Sequence, residues 1–301
     1  MQQLLILVDG SKWGVRFMID KKKTGCGILT FNRPQLMLKL YESLPQEVLD
    51  VIYVVNDGGW YEDFNDIPKN QIHHNSKNIG VGKSKNTALQ YLLAQGCEHI
   101  FLIEDDIFIR DSSAFEAYVE ASRRSGVQHL NFSQHGRMNK TSDGAPKPIA
   151  SVIYDGVETI RLYRHCVGAF SYYSRRSLTE CGLMDVNYHN AFEHVDHTLN
   201  IINGSMHPPF WYFADIVDSE QYIGDEEWSL EQSTISTSER HQYYVAEAVK
   251  IFTGKHGCAP SEFPVASEAE VRESLVRIKK LYGATSEMGT SKAGGVMELL
   301  I

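Results

Sequence analysis

Three adjacent carboxylates, Glu104, Asp105 and Asp106, follow the apolar run Ile100-Phe101-Leu102-Ile103. Side by side they repel one another unless positive charge sits among them. Their hard oxygen atoms suit Mg2+ or Mn2+ better than zinc, so a divalent cation is the expected partner. The apolar run reads as a strand buried on both faces, and open α/β sheets place their ligands at the C-terminal ends of such strands. The competing reading is a solvated turn before a helix capped by Asp111-Ser112-Ser113. The neighbouring strand ends decide between the two.

Gly25–Phe31 (GCGILTF) predicts one such strand, followed by Asn32-Arg33-Pro34 and a helix whose Leu36, Leu40 and Leu44 recur at helical spacing. Val51–Val55 predicts a second, ending in Asn56-Asp57-Gly58-Gly59. Gln71–His74 reads as a short strand, Asn75–Lys85 as a polar loop, and Asn86–Gln95 as a helix with Leu89, Leu92 and Leu93 as its apolar stripe. This alternation implies right-handed crossovers and a mainly parallel sheet, with polar strand ends forming a crevice. Gly82-Lys83-Ser84 is not a P-loop, because that pattern needs a glycine five residues before its GK and Lys77 stands there.

Further along, the pattern predicts a helix over Ser113–Arg124, a strand over Val127–Phe132, and a long polar segment, Ser133–Pro148, of the kind that forms lids or binding loops. Asp155-Gly156 between two apolar runs, Ile149–Tyr154 and Glu158–Tyr163, predicts a hairpin. A strand at Val167–Tyr173, a short helix at Arg175–Cys181 and a helical stretch within Asn187–Asn203 follow. The aromatic and acidic segment His207–Asp218 reads as a cleft wall. Helices are expected near Arg240–Thr253 and Ala266–Tyr282, then a mobile tail. Residues 1–24 read as an added hairpin, 25–235 as the main domain, split at 111 into two halves, and 236–301 as a helical extension.

A length of 301 residues, 43% of them hydrophobic and 22% charged, is that of a globular protein with chain enough for a sizeable core. The formal net charge of −9, with no long Lys/Arg run, disfavours a nucleic-acid partner or acceptor. Five scattered cysteines without a CxxC pair point to neither a disulfide framework nor a zinc knuckle, and fit a reducing compartment. The apolar run Leu4–Val8 is too short for a signal-peptide core or a membrane span, so a cytoplasmic location is expected. The N-terminal ribbon is a possible oligomer contact.

Taken in order, Ile28-Leu29-Thr30-Phe31-Asn32-Arg33-Pro34, Val55-Asn56-Asp57-Gly58, Asn78-Ile79-Gly80 through Ser84-Lys85-Asn86, and the acid triplet resemble the nucleotide-binding half of the family-2 glycosyltransferases of the GT-A fold. The resemblance implies an α/β, Rossmann-like, mainly parallel sheet with helices on both faces. It implies a nucleotide-sugar donor, foremost a UDP-sugar, and Mn2+ or Mg2+ held by Asp106 with Glu104 acting through water. Thr30 and Arg33 would lie near base and ribose, flanked by Asn32 and Asn78; Asp57 would accept from a uracil-type base; Lys85 would sit near the diphosphate; Asp105 would face ribose or sugar hydroxyls. Asp215, with His207 as alternative, would be a third metal ligand, and Trp211, Tyr212 and Trp228 would stack on sugar faces.

The resemblance continues through Gly168-Ala169-Phe170 and Cys181-Gly182-Leu183-Met184-Asp185 to the place of the family's Glu-Asp pair, which here reads Glu193-His194, with Asp196 two residues on. An inverting transfer to a glycan or other hydroxyl needs one base there, and Glu193, His194 and Asp196 all qualify. Two other functions compete: a nucleotidyltransferase, which lacks its expected glycine-rich loop after the first strand, and a glycan-binding protein of the same fold without catalysis.

Overall fold

The computed structural model describes residues 22–226, 239–284 and 297–301. The expected N-terminal hairpin, apart from its last three residues, and Trp228 lie outside the described residues.

The first half builds β1 (Thr24–Thr30), α1 (Pro34–Ser43), β2 (Val51–Asn56), β3 (Ile72–His74), α2 (Val81–Ala94), β4 (His99–Glu104), β5 (Ile107–Ile109), α3 (Ala114–Ser125) and β6 (His129–Asn131). The second half adds β7 (Ala150–Tyr154), β8 (Val157–Tyr163), β9 (Phe170–Ser174), α4 (Arg175–Cys181), α5 (Glu193–Asn203), β10 (Phe213–Ile216), α6 (Ser219–Tyr222) and β11 (Ile223–Asp225). The helices α7 (His241–His256) and α8 (Glu268–Tyr282) and the strand β12 (Met297–Leu300) complete it.

The central sheet has six strands in the order β3-β2-β1-β4-β9-β6. Only β9 runs against its neighbours. β4 shows why the sheet needs helices on both faces. Its Phe101 and Ile103 enter one core with Phe115, Tyr118 and Phe170, while Ile100 and Leu102 enter a second with Leu89, Leu92 and Tyr173. Side chains alternate across a strand, so an all-apolar strand is stable only when both faces are covered, each large apolar side chain adding ~2 kcal/mol.

A second sheet, in the order β10-β8-β7-β12, packs beside the first. Asp155 (φ 52°) and Gly156 (φ 77°) make the tight turn between β7 and β8 that the Asp-Gly pair predicts. A third, two-stranded ladder joins β5 to β11 in antiparallel fashion and ties the chain beyond β10 to the segment after the acid triplet.

Two differences from the sequence expectations stand out. Helix α2 starts at Val81, not at Asn86, because Gly80 (φ 92°) turns the chain sharply and the polar Ser84, Lys85 and Asn86 are buried against the rest of the molecule. An inward polar face has no apolar period to read. Helix α5 starts at Glu193, within the expected helical stretch, after Phe192 in a left-handed conformation. The tail expected to be mobile ends in β12, which pairs with β7 in parallel. All five cysteines are free, and no helix among the described residues is long and apolar enough to cross a membrane.

Candidate active site

The sheet register sets Thr30 beside Asn56 on one side and Leu29 beside Glu104 on the other, so the tips of β1, β2 and β4 open at one edge. The Thr30 hydroxyl donates to Asp105 Oδ2 over 2.7 Å. Arg33, from the loop after β1, forms an ion pair with Asp105 Oδ1 and lies 3.5 Å from Asp106 Oδ2. Burial pushes the Asp105 carboxyl up to about 7, with neighbouring Asp106 adding to the rise and Arg33 and Thr30 opposing it.

The Oδ1 atoms of Asp105 and Asp106 are both buried with no hydrogen-bond partner among the described residues, but Asp105 Oδ1 is ion-paired with Arg33, a support that Asp106 Oδ1 lacks there. Asp106 is the less satisfied of the two. Its Oδ2 lies 3.8 Å from His135 Nε2, whose Nδ1 is 2.7 Å from Asp225 Oδ1. Asp225 also accepts from the Gly136 amide at 2.9 Å and from Lys140 at 3.3 Å. Burial opposes charge on His135, but Asp106 and Asp225 raise its pKa to about 9. Arg33 and, when protonated, His135 balance the acids, and a cation bound beside Asp106 would take the place of the His135 proton. Sequence reasoning missed His135 and Asp225, since a lone histidine in a polar loop and a carboxylate beyond β10 carry no spacing signal.

Among the described residues no three His, Cys, Asp or Glu side chains form a ready metal cage. The donor set nonetheless fits a hard divalent cation. Asp106 has one orphaned oxygen, Oδ1, and its Oδ2 lies near an imidazole whose other nitrogen is held by a carboxylate; such cations complete their shells with water and phosphate oxygens.

On the other side of the acid triplet, Lys85 from α2 is nearly inaccessible, with its ammonium 2.6 Å from Glu104 and 2.9 Å from Glu193. Desolvation works against its charge, but the two carboxylates raise its pKa above the ordinary lysine value. Glu193 begins α5 and is also 3.1 Å from the Nδ1 of His194. Burial pushes its pKa up, yet Lys85 and His194 outweigh that and hold it far below the usual carboxylate range. Gly168 packs closely against both His194 and Lys85. A Cβ at that position would come within 3.0 Å of the His194 ring and 3.2 Å of the Lys85 ammonium.

The remaining candidates separate. Asp196 is wholly buried and holds Lys255 at 2.7 Å, His256 at 2.7 Å and Tyr188 at 3.3 Å, which fastens α5 to α7. Asp215, on β10, accepts from the Tyr118 hydroxyl (2.7 Å), the Ser133 amide (2.7 Å), the Ile216 amide (2.8 Å) and the Ser219 hydroxyl (2.6 Å). Four donors fill that carboxylate, so it serves packing and is not carried further as a metal ligand. His207 is likewise occupied, by the Pro208 carbonyl and the Ala214 amide.

Asp57 organises the loop ahead of α2. Its Oδ1 accepts from Asn75 and the Ile79 amide, and its Oδ2 from the Gly80 amide. Asn32, in a left-handed conformation, accepts from the Gly59 amide over 2.8 Å. It presses so close that a Cβ on Gly58 would stand 2.4 Å from its side-chain oxygen. Asn78 is exposed, as is Trp60, whose indole meets His74 and Phe64 edge-on. Trp211 donates to the Phe263 carbonyl and carries the Arg164 guanidinium on its face, while the Tyr212 hydroxyl donates to the Ala266 carbonyl.

No family model matches the chain, and no curated protein matches it in sequence. Solved structures do match it in shape. TarS of S. aureus aligns with 85% of this chain and 42% of its own, at 14% identity and a TM-score of 0.52. The mannosyltransferase PcManGT of Pyrobaculum calidifontis, solved in complex with GDP-Man and Mn2+, aligns with 93% of this chain and 78% of its own, at 10% identity and a TM-score of 0.53. The chain spans less than half the length of the TarS structure. What these pairs share is architecture: the chain has the GT-A-like glycosyltransferase fold, α/β with a mainly parallel central sheet.

Proposed function

We propose that this protein is a metal-dependent glycosyltransferase that moves a sugar from a nucleotide-sugar donor to an acceptor hydroxyl with inversion. The observation that carries the reading is the unpartnered buried oxygen of Asp106 at the tip of β4, next to an Asp105 locked by Thr30 and Arg33. Asp106 and His135 would hold Mn2+ or Mg2+, with Glu104 nearby through water. When bound, the cation neutralises charge developing on the departing diphosphate.

The chain's own residues supply the rest. Arg33 adds positive charge beside the phosphates, and Asp105 presents a fixed carboxylate to ribose or sugar hydroxyls. Asp57 Oδ2 has one donor and keeps a lone pair for an imide N–H, which uracil and guanine carry and adenine and cytosine lack. Donors are therefore sugars of a nucleotide with such a ring N–H, foremost UDP-sugars, with GDP- and dTDP-sugars meeting the same requirement. The mannosyltransferase of the same fold was solved with GDP-Man and Mn2+. With Asp196 consumed by α7, the acceptor's proton goes to the Glu193-His194 pair.

The test is to mix the protein with Mn2+ and a panel of nucleotide sugars and follow slow donor hydrolysis. Release of a nucleoside diphosphate supports the reading. Pyrophosphate-dependent exchange points instead to a nucleotidyltransferase, and silence to a binding protein. Asp106→Ala should abolish turnover with the fold intact; near-normal turnover in that variant removes the metal argument.

A further inference from the structure

An attacking hydroxyl is a poor nucleophile until a base takes its proton, and three side chains at the start of α5 compete for that task. We infer that His194 Nε2 is the base, that Glu193 is the positioning residue holding its Nδ1, and that Lys85 fixes Glu193 in turn. This rests on the glycosyltransferase reading and names the group that reading leaves open.

The geometry removes both carboxylates from contention. The Asp196 side chain is 0% exposed and ion-paired with Lys255 and His256. The Glu193 side chain is 4% exposed, and one oxygen, Oε1, already receives both Lys85 and His194. Protonating the other oxygen would cancel the charge that holds the Lys85 ammonium, which is itself only 1% exposed. His194 differs in each respect. Its side chain is 23% exposed, its Nδ1 is engaged at 3.1 Å, and its Nε2 makes no hydrogen bond among the described residues. Gly168 packs against the ring, where an added methyl group would come within 3.0 Å of it.

The arrangement follows the logic of a histidine oriented by a carboxylate. Glu193 accepts the Nδ1 proton, which fixes the tautomer that leaves a lone pair on Nε2. In the reaction the acceptor O–H proton passes to Nε2, and the oxygen's electron pair forms the new bond to the anomeric carbon. The old bond from that carbon to the diphosphate oxygen breaks on the opposite face, and its electron pair leaves with the nucleoside diphosphate. The imidazolium then returns its proton to solvent. His194 is the second residue of α5, where the helix dipole disfavours a cation. The Glu193 carboxylate offsets that cost, which is why an ionised and immobile neighbour is needed.

Two measurements test this. The first uses water as acceptor, with Mn2+ and UDP- or GDP-sugars, and compares His194→Gly, Glu193→Gln and Glu193→Asp with the unaltered chain. His194→Gly should lower the hydrolysis kcat by roughly 100- to 10,000-fold, the usual worth of a general base, while the Kd for Mn2+ with UDP or GDP by calorimetry stays unchanged. Added imidazole should restore part of the rate in His194→Gly and none in Glu193→Gln, whereas Glu193→Asp should keep intermediate activity. Near-normal kcat in His194→Gly, or rescue of Glu193→Gln by formate, overturns the assignment and leaves the transferase reading standing. Absence of donor binding and hydrolysis in the unaltered chain overturns both. The second measurement needs no donor. Nitrogen-15 NMR of the His194 ring should show a proton on Nδ1 and none on Nε2, changing to a mixture in Glu193→Gln. A proton on Nε2 in the unaltered protein overturns the dyad.

Discussion

The hydroxyl of Thr30 and the carboxylate of Asp105, 75 residues apart in sequence, meet at 2.7 Å across the tips of β1 and β4. The bond fixes one acid of the triplet and holds two strand ends at a set spacing. Thr30→Val removes the hydroxyl and keeps the shape. It should cost ~1–3 kcal/mol in urea denaturation, because a buried carboxylate loses a donor. It should also weaken UDP or GDP binding in calorimetry. Unchanged stability would mean that Arg33 alone holds Asp105.

His135 and Asp225 form an imidazole–carboxylate pair facing Asp106. If that pair serves the cation, Asp225→Asn should loosen Mn2+ binding by about 10- to 100-fold, the usual effect of losing a carboxylate behind a metal-bound histidine. Electron paramagnetic resonance titration of free Mn2+ measures this without turnover. Equal affinity in both proteins would assign the pair to holding the loop after β6.

Lys85 is enclosed between Glu104 and Glu193. Replacing it with methionine leaves two carboxylates without their cation, and breaking such a pair costs about 3–5 kcal/mol. Lys85→Met should therefore unfold at markedly lower urea concentration. A loss below 1 kcal/mol would show that water reaches the ammonium.

Asp215→Asn should destabilise the fold by about 2–4 kcal/mol while sparing Mn2+ affinity, since an amide NH2 in place of one carboxylate oxygen leaves two of the four donors without their acceptor. Burial pushes the Asp215 carboxyl up to about 7, against the pull of Ser219, Ser133, Tyr118 and Ile216. A raised carboxyl stabilises the fold most below its unfolded value and loses that contribution as pH climbs through about 7. The cost of the substitution should accordingly be larger at pH 4.5 than at pH 7.5, measured by denaturation at each pH.

His207 has the opposite sign. Burial lowers its pKa to about 4, partly resisted by the Pro208 carbonyl, so the folded state refuses a proton that the unfolded chain accepts below about 6.5. Its contribution is complete above that value and drains away as pH falls towards 4. His207→Asn should cost most at neutral pH and least near pH 4. A penalty that grew on acidification would contradict a neutral, buried imidazole.

Much of this architecture is written in local pattern. The strands β1, β2 and β4 are apolar runs ending on polar residues, and the Asp155-Gly156 turn declares its hairpin. The triplet pointed to a ligand site only in company with the neighbouring strand ends, since adjacent acids alone read as readily as a solvated turn. The missing parts depend on long-range partners. Asp225 matters only because β11 pairs with β5, and Asp215 resembled a ligand until Tyr118, Ser133 and Ser219 came round to fill it. The first turns of α2 hid for a related reason: Lys85 and Asn86 face inward through partners more than ninety residues away, so their burial leaves no mark in hydropathy.

Lys85 also sets how this cleft can move. Its two carboxylates belong to different elements, Glu104 to β4 and Glu193 to α5, so the two cannot move apart without tearing a largely buried ionic contact. These elements are clamped rather than hinged, and traffic in and out of the crevice falls to the rims.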